Sequence, residues 1–161
     1  FGTVDGEPCL YWQLGAADFE GIVRESLVDV MTRAVVAHLE DVLQTCRSTS
    51  LLQGRLVRAR LIVDSKGFSL GNLRFLATAR QVISILKDNF PEVTATVTVI
   101  QAPWAASKGY AILRPFLPKL IQKKICILGN RYEEALLSHS GVPLSMLRDV
   151  DRTVESAPQC S

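Results

Sequence analysis

The chain has 161 residues, 48% of them hydrophobic and 21% charged, with a formal net charge of +2. That length and balance predict one domain, spanning 1–161, with one sizeable core. No apolar run reaches the roughly 18 residues needed to cross a bilayer, and the opening FGTVDGEP carries no basic-then-apolar leader, so the expectation is a soluble, cytoplasmic protein. The start lacks an initiator Met and is already strand-like, which suggests a fragment of a longer chain.

In chain order, DGEP at 5–8 reads as a turn. Gly6 supplies the unusual backbone angles and Pro8 limits the pairing, so 1–4 and 9–13 are expected to form a hairpin. Leu27, Met31, Val35, Leu39, Val42 and Cys46 recur at three-to-four spacing, predicting an amphipathic helix over 25–47 that ends in RSTS. VRARLIV at 57–63 reads as a strand with the exit turn DSKG. Ser69 can cap a helix whose Leu73, Leu76, Ile83, Leu86 and Phe90 make a core stripe, closed by Pro91. TATVTVI at 94–100 and KICIL at 124–128 read as two further strands. Strands separated by helix-length segments need crossover connections, hence an α/β fold with a mainly parallel sheet flanked by helices.

Between the last two strands lies the segment 104–117, apolar around far more than one face. Ile112, Phe116, Leu113, Leu117 and Tyr110 fill an arc of roughly 160°, and Trp104 and Ala111 add apolar surface on the far side. Pro115 biases Arg114 toward an extended conformation and is expected to break the helix there. A short helix hinged by Pro103, Gly109, Pro115 and Pro118 suits a mobile cover that exchanges contacts between an apolar cavity and a membrane.

Charge is unevenly placed. Residues 1–50 hold eight acids against three arginines, whereas 93–132 hold Lys108, Arg114, Lys119, Lys123, Lys124 and Arg131 and no acid, which favours an anionic partner. Catalytic signatures do not emerge. Cys9, Cys46, Cys126 and Cys160 form no CxxC pair and have no histidine at ligand spacing, so they read as thiols rather than as a zinc site or a disulfide framework. His38 and His139 each stand alone, and neither a GxGxxG nor a GxxxxGK[ST] loop is present. The reading is a non-enzyme with no cofactor or metal.

These pieces, in order, resemble the CRAL-TRIO lipid-binding domain of phosphatidylinositol-transfer and tocopherol-transfer proteins. The resemblance runs through DGEPCLYWQLG, LIVDSKGFSL, FPEVTATVTVIQAP, LRPFL, KICILGN and YEEALL, covering residues 5 to about 137. The family's Gly-Gly ending is absent, as is the helical lobe that usually precedes the domain. The resemblance implies a lipid held in an internal apolar pocket and a gate helix over it. The pocket and gate residues it implies are Ala59, Leu61, Phe68, Leu73, Leu76, Trp104, Tyr110, Ala111, Leu113, Phe116 and Leu117.

Residue by residue, Glu92 matches the glutamate that such proteins use for an inositol headgroup, while their gate-helix threonine and lysine align with Lys108 and Ala111. The serine and threonine that contact phosphatidylcholine fall on Ala59 and Leu61, implying a drier pocket; the expected ligand is a phospholipid or a weakly polar lipid, with a sterol-like, tocopherol-like or otherwise weakly polar lipid preferred over inositol phospholipid. Lys124, with Lys119 and Lys123 nearby, matches the basic residues that grip phosphoinositide membranes. The expected partners are therefore lipid, an anionic membrane surface at which the protein sits peripherally, and a protein partner through the parent chain, with no nucleic acid. The alternative is a scaffold that keeps the fold and docks a protein or a phosphoinositide membrane without extracting lipid.

Overall fold

A computed structural model of the chain describes residues 2–90 and 93–147, the side chain of Leu86 excepted. Strands β1 (Gly2–Val4) and β2 (Glu7–Gln13) form an antiparallel hairpin with Val4 opposite Glu7. The two loop residues, Asp5 (φ 53°) and Gly6 (φ 77°), both take left-handed angles, as a tight primed turn requires. The second strand starts at Glu7, two residues earlier than the expected 9–13. Pro8 is tolerated inside it because pairing with the next strand begins only at Cys9.

The helix expected over 25–47 is α2 (Val28–Gln53), which starts three residues later and ends six residues later, and a separate short helix, α1 (Phe19–Arg24), precedes it. Asp18 Oδ1 accepts from the Gly21 backbone N–H at 2.8 Å and caps α1. RSTS does not end α2, because the hydroxyls of Thr45, Ser48 and Ser50 donate to carbonyls four residues back and stay within the helix. The stop is Gly54, in the left-handed conformation at φ 63°. Leu27, expected on the core stripe, sits ahead of the first turn of α2 and is exposed.

Strand β3 (Ala59–Asp64) leads through a 3₁₀ turn (Leu70–Phe75) into α3 (Leu76–Asn89). Ser69 and Asn72 close a capping box at the start of that turn. Then come β4 (Thr94–Ile100), α4 (Trp104–Leu113), a 3₁₀ turn (Arg114–Phe116), α5 (Lys119–Lys124), β5 (Ile125–Ile127) and α6 (Glu133–Ser140). The break at Pro115 tightens the helix rather than extending the chain: Arg114 keeps helical angles (φ −49°, ψ −42°). Lys124, expected as the first residue of a strand, closes α5 instead.

The sheet order is β1-β2-β3-β4-β5, with every pair after the first parallel. Each crossover steps one strand over in the same direction, so right-handed connections carry all three helical segments to one face. Alternation along β3 divides the core accordingly. Ala59, Leu61 and Val63 join Leu10, Leu39, Val42 and Cys46 on that face, whereas Ile62 joins Cys9, Ile100, Leu136 and Val142 on the other, which α6 covers. Three helical segments crowded over one face of a five-stranded sheet do not close over it completely.

Candidate functional site: an apolar cavity beneath a short helix

The gap they leave is a cavity of about 470 Å³. Its floor is the helix-covered face of the sheet, with Trp12, Leu61, Val63, Val97, Val99, Ile125 and Ile127. Met31, Val35 and Leu39 of α2 form one wall; Phe68, Phe75, Leu76, Val82, Ile83 and Phe90 form another. Ala106, Tyr110 and Leu113 of α4, followed by Leu117, close the remaining side. These last four recur at helical spacing, so one stripe of α4 and its continuation faces the cavity.

A second stripe of α4 packs against neighbouring chain through small residues. Ala105 and Gly109 are buried, and a Cβ on Gly109 would meet Leu73, Leu76 and Phe68 at 3.4–3.8 Å. The third stripe faces solvent: Trp104 is 63% exposed, Ile112 51% and Phe116 39%. Cations sit over two of these rings, with the Lys108 ammonium 5.3 Å from the Trp104 centroid and the Arg80 guanidinium 3.8 Å from that of Phe116. The apolar girth of the helix thus has two separate uses, an inner lining and an uncovered outer surface.

Of the residues singled out from the sequence, Leu61, Phe68, Leu76, Tyr110, Leu113 and Leu117 line the cavity. Leu73 sits beside Gly109 at the seam under α4. Ala59 is completely buried within the core on the cavity side of the sheet, but it is not on the cavity wall. Trp104, Lys108, Ala111 and Phe116 lie on the exposed side. Lys119 and Lys123 are exposed, whereas the Lys124 ammonium donates to the Thr94 carbonyl at 2.9 Å and ties α5 to the start of β4. Glu92 and Pro91 fall outside the described residues.

Several wall residues were not singled out as pocket: Trp12, Leu14, Phe19, Ser65 and Phe75. Ser65 had a readable signal, since it continues the Leu61–Val63 alternation by one more step. The others come from separate loops and turns with no common period.

Asp64, a buried acid at the end of β3, is committed to holding neighbouring segments together. Asp64 accepts from the Tyr11 hydroxyl at 2.7 Å, the Lys66 backbone N–H at 2.8 Å and the Gln101 amide at 3.2 Å. Burial pushes the Cys9 and Cys46 thiols up, leaving them protonated at neutral pH. Among the described residues no group of three or more His, Cys, Asp or Glu could hold a metal ion, and no helix is long and apolar enough to cross a membrane.

The family model for the CRAL/TRIO domain matches residues 3–144. The chain is 31% identical over 137 residues to the Sec14 cytosolic factor of Schizosaccharomyces pombe, covering 83% of this chain and 48% of that protein. It is 28% identical over 136 residues to the SEC14 cytosolic factor of Candida glabrata, covering 83% and 45%. The chain therefore spans about half the length of these curated relatives. The crystal structure of Sfh5 superposes with a TM-score of 0.66 at 15% identity, covering 96% of this chain and 62% of that one, a likeness of fold.

Proposed function

The chain belongs to the CRAL/TRIO domain family, and from that premise we propose that it binds a hydrophobic lipid in the cavity between sheet and helices and transfers or presents it at membranes. The observation that carries this reading is the 470 Å³ cavity walled almost throughout by aliphatic and aromatic side chains. Such a volume, within the roughly 300–1,000 Å³ typical of small-molecule sites, suits an apolar ligand that buries most of its surface.

In this reading α4 is the gate. Its small inner residues make a shallow seam, its cavity stripe touches the lipid, and its outer stripe offers Trp104, Ile112 and Phe116 to the acyl region of a bilayer. Lys108, Lys119 and Lys123 supply charge beside that surface for anionic headgroups, with Lys124 contributing from a fixed position. The protein then works as a peripheral, non-catalytic carrier in the cytoplasm.

The test is native mass spectrometry of purified protein, followed by lipid extraction, on the wild type and on Val97→Trp, which fills the cavity from the sheet side. A lipid adduct on the wild type that is lost in the variant is the expected result. A wild-type mass equal to the bare chain, together with no transfer of fluorescent lipid between vesicles, would reject the carrier in favour of a docking scaffold.

A further inference from the structure

Resting on the reading of the cavity as a lipid site, we infer that the Ser65 hydroxyl is the polar anchor within it, and that the ligand is a neutral lipid with a single hydrocarbon body and one terminal hydroxyl. Ser65 is 1% exposed, lines the cavity and continues the Leu61–Val63 row of the sheet floor. Its backbone is fully used: the N–H donates to the Ile100 carbonyl at 3.0 Å and the carbonyl accepts from Phe68 N–H at 2.9 Å. Its Oγ has no hydrogen-bond partner among the described residues.

A buried hydroxyl left unpaired is costly, and of the described residues with such an atom, Ser65, Thr96, Thr98 and His139, Ser65 is the one that lines the cavity. Its missing partner is the ligand. A serine hydroxyl both donates and accepts, so an alcohol, which does the same, satisfies it more fully than a carbonyl can.

The rest of the wall argues against a charged headgroup at this end. Among the described lining residues the one formal charge is Lys87, which pairs with Asp88 at 3.2 Å. Lys87 lies in the last turn of α3, toward the Thr94 end of the cavity. Ser65 is bonded at the other end of β4, to Ile100, six residues away from Thr94. At roughly 3.3 Å per residue that is about 20 Å. Asn72, the nearest other polar lining residue in sequence, has its side-chain oxygen occupied by the Ser69 N–H and hydroxyl. The ligand therefore sits with its oxygen at Ser65 and its hydrocarbon running along β4 toward Phe90 and Thr94.

The experiment measures the Kd of cholesterol and of cholest-5-ene, the same molecule without its hydroxyl, on the full chain and on Ser65→Ala. Both backbone bonds survive that substitution, and retained binding of cholest-5-ene reports that the variant is folded. Wild type is expected to prefer the alcohol by about tenfold, and Ser65→Ala to bring the two within about twofold. Equal binding of both by wild type, or an alcohol preference that persists in Ser65→Ala, overturns the anchor while leaving the lipid cavity standing. Binding of neither by wild type removes the anchor too, and extraction of phospholipid from vesicles in the same samples then decides whether the lipid reading itself survives.

Discussion

Gly109 of α4 lies so close to Leu73 that a Cβ placed on it would stand 3.4 Å from Leu73 Cδ2. A glycine in the middle of a ten-residue helix costs about 1 kcal/mol relative to alanine, and here an added Cβ would come into ordinary contact with Leu73, Leu76 and Phe68 while anything larger would not fit beside them. Gly109→Ala should leave stability within about 1 kcal/mol of wild type, the propensity gain offsetting a small shift of Leu73. Gly109→Leu must lift α4 or displace Leu73 and Leu76, at about 1–3 kcal/mol, and should accelerate loss of bound lipid. Thermal unfolding and the off-rate of a fluorescent lipid check both; a Leu variant with wild-type melting and retention would show that the seam does not restrain the helix.

Much of this arrangement is legible in the residues. VRARLIV, TATVTVI and KICIL give strands because β-branched runs bounded by turn residues have few other uses, and their spacing dictates a parallel sheet. Helix ends read less well. The hydroxyls of Ser48 and Ser50 bond back within α2 where a stop is expected, and the six residues of α5 are too few to show a period. The cavity floor is readable through Leu61 and Val63, but the parts of its wall supplied by Trp12, Leu14 and Phe19 are assembled only by tertiary packing. The lysines show the same limit, since nothing in the spacing of Lys123 and Lys124 tells that one is exposed and the other bonded to Thr94.

The hairpin is locked to the sheet by Glu7, whose carboxylate accepts from Arg60 Nε at 2.7 Å and Arg55 Nη1 at 3.0 Å, while Arg60 Nη1 also donates to the Ser140 carbonyl at 2.6 Å. Burial by itself would push the Glu7 carboxyl up, but the hydrogen bonds and charges of Arg55 and Arg60 outweigh it and hold it below its ordinary 4.5. A depressed carboxylate contributes stability in full above its unfolded pKa and loses it as pH falls through the lower folded value. Glu7→Gln should therefore cost about 1–3 kcal/mol near neutrality, and the gap from wild type should close only below pH 4.5. Urea unfolding from pH 7 to pH 3 follows it; a gap that is unchanged at pH 3, or that closes already near pH 6, would contradict this account.

Lys119 and Lys123 are exposed and Lys124 is bonded to the start of β4, so the three should respond differently to substitution. Each basic residue near an anionic surface contributes on the order of 1 kcal/mol, screened beyond about 10 Å at 0.1 M salt. Lys119→Glu with Lys123→Glu should reduce flotation with phosphatidylserine vesicles more than tenfold and leave melting unchanged. Lys124→Met should lower melting and weaken flotation less. Equal flotation with neutral and anionic vesicles would remove the lysines from the membrane surface altogether.

Trp104 separates a gate from a plug of core. A buried tryptophan replaced by alanine costs about 3–5 kcal/mol, but this one is 63% exposed at the first position of α4, with the Lys108 ammonium 5.3 Å from its ring. Trp104→Ala should therefore change folding stability by no more than about 0.5 kcal/mol, as exposed positions do. Its effect should fall on the membrane step, because an indole favours the headgroup boundary. In a Trp12→Phe background Trp104 is the single tryptophan, and vesicles with brominated acyl chains should quench its fluorescence on binding. The same vesicles should exchange lipid several-fold more slowly with Trp104→Ala. A loss of 3 kcal/mol or more in Trp104→Ala, or an unquenched Trp104 on a vesicle-bound protein, would place the ring in the fold's own packing and α4 outside the membrane.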